Sequence, residues 1–98
     1  MRTVCFRDDT YVLTLETDLD LAAAERLSVA LRVLPGRRFI IDLSKVAFVD
    51  RTGAEKLARA AEGKALTIVT ADPRAVRMLE VVDRSLSVHA MLADALVD

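Results

Sequence analysis

Few side chains in this sequence have the chemistry of catalysis or metal binding, and they are scattered along the chain. His89 is the only histidine and Cys5 the only cysteine, so neither a Ser–His–Asp nor a Cys–His arrangement is indicated. One cysteine also argues against a thiolate zinc site. Cys5 is predicted to be a buried strand thiol and His89 a surface or half-buried structural residue. We therefore expect no enzyme activity, no metal and no cofactor.

Neither the paired aspartates nor the glycines of this sequence indicate a binding site. Asp8 and Asp9 form a carboxylate pair, but they fall in a predicted hairpin turn, where Asp serves backbone geometry. The sequence has only three glycines, and they form neither the P-loop nor the dinucleotide-binding pattern. A loop that cradles phosphate is therefore not expected.

One segment with polar chemistry stands out, because it opens a predicted helix. Asp50-Arg51-Thr52-Gly53 is small and polar and follows the apolar residues Val46, Phe48 and Val49. The first N–H groups of a helix lack partners, so such a position favours an acceptor or an added negative charge. A simpler interpretation is that Asp50 or Thr52 caps the helix and has no other role. The residues alone do not decide between a site for a negatively charged group and a simple helix cap.

The remaining pattern predicts the elements that would position this segment. Apolar and polar residues alternate in 3–7 and in 11–17, which predicts an opening β-hairpin. Residues 39–43 are an apolar run typical of a strand covered on both faces. Two further strands are predicted at 66–70 and 86–88. Helices are predicted after Asp20, after Asp50, after Asp72-Pro73 and at the end of the chain. Each helix has an apolar face, formed respectively by Ala23, Leu27, Ala30, Leu31 and Leu34; by Ala54, Leu57, Ala58 and Ala61; by Ala75, Met78, Leu79 and Val82; and by Met91, Leu92, Ala95 and Leu96.

The order β-β-α-β-α-β-α-β-α predicts an α/β fold with a mostly parallel central sheet. The sheet should have about five strands, with an opening antiparallel hairpin, and four helices should cover it. No linker or internal repeat interrupts the pattern, so residues 1–98 are predicted to form a single domain.

Composition narrows the classes of partner. Fourteen basic and fifteen acidic residues give a net charge of −1, which argues against nucleic acid, since phosphate binding needs a basic face. No stretch approaches the ~18–20 apolar residues of a membrane helix, and residues 1–7 lack the apolar run of a signal peptide. We expect a cytoplasmic protein that neither inserts into a membrane nor binds nucleic acid.

The chain resembles the STAS domain family, and in particular the anti-sigma factor antagonists. In that pattern a strand ends in Asp-Leu-Ser, and a hydrophobic pair then precedes Asp-Ser-Ser/Thr-Gly at the start of the second helix. The matching segments, in order, are Leu19-Asp20, Asp42-Leu43-Ser44, Phe48-Val49-Asp50, Thr52-Gly53, Thr70-Ala71-Asp72-Pro73 with Val76 and Leu79, and Asp94-Ala95-Leu96. The resemblance spans the chain and implies a STAS-like fold.

The resemblance also implies a function and a switch. In such antagonists the loop and second helix dock on an anti-sigma factor that is also a GHKL-type serine kinase, and the sigma factor is released. The kinase phosphorylates the serine after the motif's Asp, and the added negative charge breaks the complex. The implied partner-binding residues of this chain are Asp50, Arg51, Thr52 and Gly53.

The sequence departs from this pattern at the phosphorylated position. Arg51 stands where the acceptor serine is expected, and a guanidinium is permanently cationic and cannot accept a phosphate from a serine kinase. The ordinary phospho-switch is therefore predicted to be lost or altered. Thr52 is a possible substitute acceptor, although its hydroxyl is expected to turn toward capping or packing.

Two alternatives remain open from the sequence. The chain also resembles the small STAS subunit that binds the ATPase of a lipid-transport ABC system, whose motif often reads Asp-Thr-Gly-Gly. Thr52 fits that pattern loosely, but Arg51 intervenes and Ala54 replaces the second glycine. Separately, Val29, Val33 and Met91 would offer a homodimer face if they were exposed, although their helical spacing is more typical of core.

Overall fold

The computed structural model describes residues 1–7 and 9–97. Its strands are β1 (Arg2–Arg7), β2 (Thr10–Thr14), β3 (Arg38–Asp42), β4 (Ala65–Val69) and β5 (Ser87–His89). Its helices are α1 (Leu21–Val33), α2 (Arg51–Ala61), α3 (Pro73–Val82) and α4 (Leu92–Leu96). The strands form one sheet in the order β1-β2-β3-β4-β5, in which β1 pairs antiparallel with β2 and the other pairs are parallel. The predicted α/β fold and its element order are confirmed.

Both faces of the central strand β3 are covered, as its apolar sequence predicts. Phe39 and Ile41 point into the larger core, which α1, α2 and α3 close on one side of the sheet. Ile40 points to the other side, where it joins a smaller cluster with Ala95 of α4. The Arg38 guanidinium donates to the Ala95 carbonyl at 3.1 Å and ties α4 to the sheet. Helix α2, at whose start the polar segment lies, thus belongs to the layer of three helices that packs on one face of the sheet.

The opening hairpin differs from its prediction in two respects. Strand β2 ends at Thr14 rather than continuing to residue 17, and residues 16–18 are exposed. The prediction that Cys5 is a buried thiol is wrong, because Cys5 is exposed on β1. A strand at the sheet edge pairs on one side only, and every side chain described on β1 is exposed. Asp9 lies in the turn, and Asp8 lies outside the described residues.

Helix α1 buries the predicted face and exposes two valines. Ala23, Leu27 and Leu31 are buried as predicted. Val33 is 70% exposed, and Val29 is also exposed, as is Met91 just before α4. These three residues are therefore surface rather than core, and a homodimer formed through them stays a prediction.

Truncation at Ile41 should test the larger core most directly, because this side chain is fully buried. Ile41→Ala should lower the free energy of unfolding by about 2–5 kcal/mol, through lost transfer energy and the cavity left behind. The measurement is urea denaturation followed by circular dichroism. Val33→Ala, at an exposed position, should change stability by no more than about 0.5 kcal/mol. Equal losses for the two variants would contradict this packing.

Candidate functional site

Two loop segments hold each other at the point where α1 and α2 begin. The N–H of Leu19 donates to the carbonyl of Phe48 at 2.9 Å, and the N–H of Asp50 donates to the carbonyl of Leu19 at 3.0 Å. Leu19 and Val49 form an isolated parallel bridge, and both side chains are buried. We call this pairing the Leu19–Val49 bridge. It fixes the starts of the two helices relative to each other.

Each helix that leaves the bridge is capped by an aspartate. An Oδ1 oxygen of Asp20 accepts from the N–H of Ala23 at 2.8 Å, and Oδ1 of Asp50 accepts from the N–H of Gly53 at 2.7 Å. Asp50 is therefore the cap of α2, one of the two cap residues that the sequence suggested. Thr52 is not the cap.

Two N–H groups of the α2 N-terminus remain for an outside acceptor. The first four N–H groups of a helix have no partner within it. Here Asp50 donates to Leu19, and Gly53 donates to the Asp50 carboxylate. The N–H groups of Arg51 and Thr52 have no acceptor among the residues that the structure describes. The positive end of the helix dipole is therefore open to solvent at these two residues.

Gly53 is buried, and its role is to allow close approach of two backbones. A Cβ atom at this position would lie 2.5 Å from the carbonyl oxygen of Leu19 and 2.9 Å from the carbonyl carbon of Asp20. Backbone atoms cannot move aside cheaply, so α2 can pack here only if residue 53 has no side chain. Gly53 positions the predicted site but offers it no surface.

Arg51 and Thr52 lie on the surface in the first turn of α2. The Arg51 side chain is 66% exposed, and its Nε atom lies 3.7 Å from an oxygen of Glu55, one turn further along the helix. Thr52 is exposed, and Asp50 rather than Thr52 caps the helix, so the expectation that the Thr52 hydroxyl serves as a cap is wrong.

A groove beside this turn was not predicted from the sequence. It consists of two adjoining depressions, of about 240 and 130 Å³, which share Arg74 and Met78. Phe48, which is 59% exposed, lines one depression, and Arg51 lines the other. The sequence did carry a signal, because residues 74, 77, 78 and 81 recur at helical spacing. The apolar face predicted for α3 includes Met78 but not Arg74, Arg77 or Val81.

The described residues were compared with what a metal site and a membrane-spanning helix require. Among residues 1–7 and 9–97, no group of three or more His, Cys, Asp and Glu side chains is placed to hold a metal ion. Within the same part of the chain, no helix has the length and apolar character needed to cross a bilayer.

Comparison with known protein families identifies the family of this chain. Residues 3–93 match the family model described as "Mlab, STAS domain". The chain belongs to the STAS domain family. No curated protein matches the chain.

Solved structures share the fold of this STAS domain at low sequence identity. The anti-sigma factor antagonist SpoIIAA in its unphosphorylated form is 17% identical with a TM-score of 0.65, covering 99% of this chain and 94% of its own. A serine-to-glutamate variant of RsbS from Moorella thermoacetica is 22% identical with a TM-score of 0.74, and the match covers 98% of this chain and 91% of the RsbS chain. The STAS domain of a SulP transporter from Vibrio cholerae is 22% identical with a TM-score of 0.66, and the match covers 96% of this chain and 85% of the transporter domain. These likenesses show the fold.

Adding one methyl group at Gly53 should test the close approach of α2 to the Leu19–Val49 bridge. In an unhindered helix, Gly→Ala would stabilise by roughly 1 kcal/mol. Here the new Cβ would overlap backbone atoms, so Gly53→Ala should instead destabilise the fold by about 1–3 kcal/mol. Urea denaturation checks the sign. Thr52→Ala, at the exposed neighbouring position, should change stability by at most about 0.5 kcal/mol. A Gly53→Ala variant as stable as the natural protein would contradict the overlap.

Proposed function

We propose that this STAS domain docks on an anti-sigma factor of the GHKL-type serine kinase class. In this proposal it is a non-enzymatic, cytoplasmic regulatory protein, and residues 1–98 form a single domain. The docking surface is the turn Asp50–Gly53 with the start of α2, in which Arg51 and Thr52 are exposed and Asp50 and Gly53 hold the backbone. The observation that carries the proposal is that Arg51 and Thr52 are exposed on a turn whose backbone is fixed from behind.

A fixed backbone favours docking because little conformational entropy is lost on binding. Asp50 and Gly53 hold the turn by a cap and a close backbone contact. Neither residue has to reach the partner for the surface to form. Exposed Phe48 adds an apolar side chain next to the turn, and aromatic residues at interface centres contribute much of the binding energy.

Arg51 gives this surface a charge that cannot be switched by a serine kinase. In the resemblance to antagonists, residue 51 is the phosphorylated position, where phosphate adds about −1.5 to −2 charges at neutral pH. The guanidinium of Arg51 stays cationic and keeps the opposite sign. We propose that the module is an antagonist without the ordinary phospho-switch at this position.

Replacing Arg51 by serine should restore a phosphorylation site. After incubation with the cognate kinase and ATP, the natural protein should keep its mass, while Arg51→Ser should gain one phosphate, because the new hydroxyl lies on an exposed turn. Intact-mass spectrometry gives the result. The double variant Arg51→Ser/Thr52→Val distinguishes the new serine from its neighbour. A phosphate on the natural protein would contradict the prediction and direct attention to Thr52.

The identity of the partner class is tested by affinity capture. The tagged protein, incubated with lysate of its source organism, should retain a GHKL-type ATPase identified by mass spectrometry, and the purified pair should bind in solution. Arg51→Glu should weaken the purified complex, while Arg32→Glu, an exposed charge reversal at the far end of α1, should not. Absence of binding to any such ATPase of that organism would reject the proposed partner.

A second candidate is the STAS accessory subunit that binds the ATPase of a lipid-transport ABC system. The exposure of Thr52, whose backbone N–H is unpaired at the helix start, is the observation that favours it. That group uses a threonine rather than a phosphoserine in the corresponding turn.

Thr52→Arg should test the second candidate in a cell that contains the ABC ATPase. If the ABC ATPase is the partner, co-purification with it should be lost, because a long cationic side chain replaces the small hydroxyl at the contact. Thr3→Arg makes the same change at an exposed position on β1 and should leave co-purification intact. An ABC ATPase retained equally by both variants would rule out this use of Thr52.

A further inference from the structure

The groove between the start of α2 and the outer face of α3 combines apolar and cationic side chains. We call it the α2–α3 groove, and its members are Phe48, Arg51, Arg74, Arg77, Met78 and Val81. Val81 and Phe48 are exposed by more than half, and Met78 is half-buried. An apolar strip therefore lies open to solvent and is bordered by three guanidinium groups.

The charges around the groove are not balanced. Arg51 lies near Glu55, and Arg74 lies 3.5 Å from Asp72. Arg77 is exposed, and within residues 1–7 and 9–97 no carboxylate lies within ion-pair distance of it. Three arginines and one carboxylate, that of Asp72, line the groove. The unpaired N–H groups of Arg51 and Thr52 add positive potential, which the Asp50 carboxylate that caps α2 partly offsets. The groove has an excess of positive charge, although the chain as a whole carries −1.

The existing ion pairs would not prevent a partner from using these arginines. The Arg74 side chain is 83% exposed and that of Arg51 is 66% exposed. Exposed pairs of this kind contribute little to stability, so an incoming carboxylate can replace them at small cost. The backbone N–H of Arg74, and then the Arg74 side chain, lower the pKa of Asp72. Asp72 therefore stays ionised at neutral pH as the cap of α3.

We infer that the α2–α3 groove binds an acidic segment of a protein partner, with carboxylates on the arginines and an apolar side chain on the strip between them. This inference rests on the proposed function and specifies the chemistry of the surface that the partner presents. A guanidinium pairs with a carboxylate through two parallel hydrogen bonds. The apolar strip of Phe48, Met78 and Val81 supplies a central anchor site.

The apolar strip favours a peptide over other anions. A phosphate group, whether on a lipid or on a nucleic acid, would use the arginines and leave Met78 and Val81 without a partner. An acidic peptide with an apolar side chain uses both features at once. The groove continues into the α2 turn through Arg51, so one partner can cover both surfaces.

The test uses the whole 98-residue chain, labelled with 15N, and a synthetic peptide in which a Leu-Phe pair is flanked on both sides by glutamates. Amide shifts on titration should concentrate in residues 48–52 and 74–81, and affinity should fall as salt rises. Arg77→Glu should weaken binding about tenfold, since it replaces attraction by repulsion. The matched control Arg59→Glu reverses an exposed charge at the far end of α2 and should bind like the natural protein.

The remaining arms separate the alternatives. A peptide with lysines in place of the glutamates should not bind, and vesicles of phosphatidylglycerol and phosphatidylcholine should not shift the groove residues. Binding of the lysine peptide, shifts outside the groove, no binding of the acidic peptide, or vesicle binding through Arg77 would each overturn the inference.

The two proposals can also fail separately. If the GHKL-type ATPase binds the natural protein and Arg77→Glu equally well, the inference about the α2–α3 groove is wrong, but the proposed partner is supported. If the acidic peptide binds in the groove but no such ATPase binds the protein, the proposed partner is wrong, but the inference about the groove is supported.

Discussion

The close contact between Gly53 and the backbone of Leu19 and Asp20 is the constraint on which the rest of the site depends. It lets α2 start against the segment that starts α1. The two hydrogen bonds of the Leu19–Val49 bridge then lock the contact, and the caps Asp20 and Asp50 set the helix directions. Any larger residue at position 53 would push α2 outward and shift the exposed turn.

This constraint separates the residues that build the turn from those that are exposed on it. Asp50 and Gly53 are committed to the internal contact, whereas Arg51 and Thr52 between them are exposed. The turn therefore presents two exposed side chains on a backbone that is held from behind. In this chain the arginine extends a cationic rim that continues along α3 through Arg74 and Arg77.

The sequence predicted the fold well because periodicity and helix starts agreed along most of the chain. Asp20, Asp50 and Asp72 each precede a helix and each caps it. The errors occur where burial depends on distant neighbours: Cys5 has the alternation of a buried strand but lies on the sheet edge. The turn at 50–53 was found from its motif. The groove was not, because it forms only when α3 packs beside α2, and no local pattern reports that pairing.

Amide hydrogen exchange of the free protein, followed residue by residue with NMR, tests the central claim most directly. If the Leu19–Val49 bridge and the Asp50 cap fix the turn, the amides of Leu19, Asp50 and Gly53 should exchange slowly, by the same opening that exposes the core strands. The amides of Arg51 and Thr52, which have no acceptor among the described residues, should exchange quickly. Rapid exchange at Leu19 and Asp50, matching that at Thr52, would contradict the account.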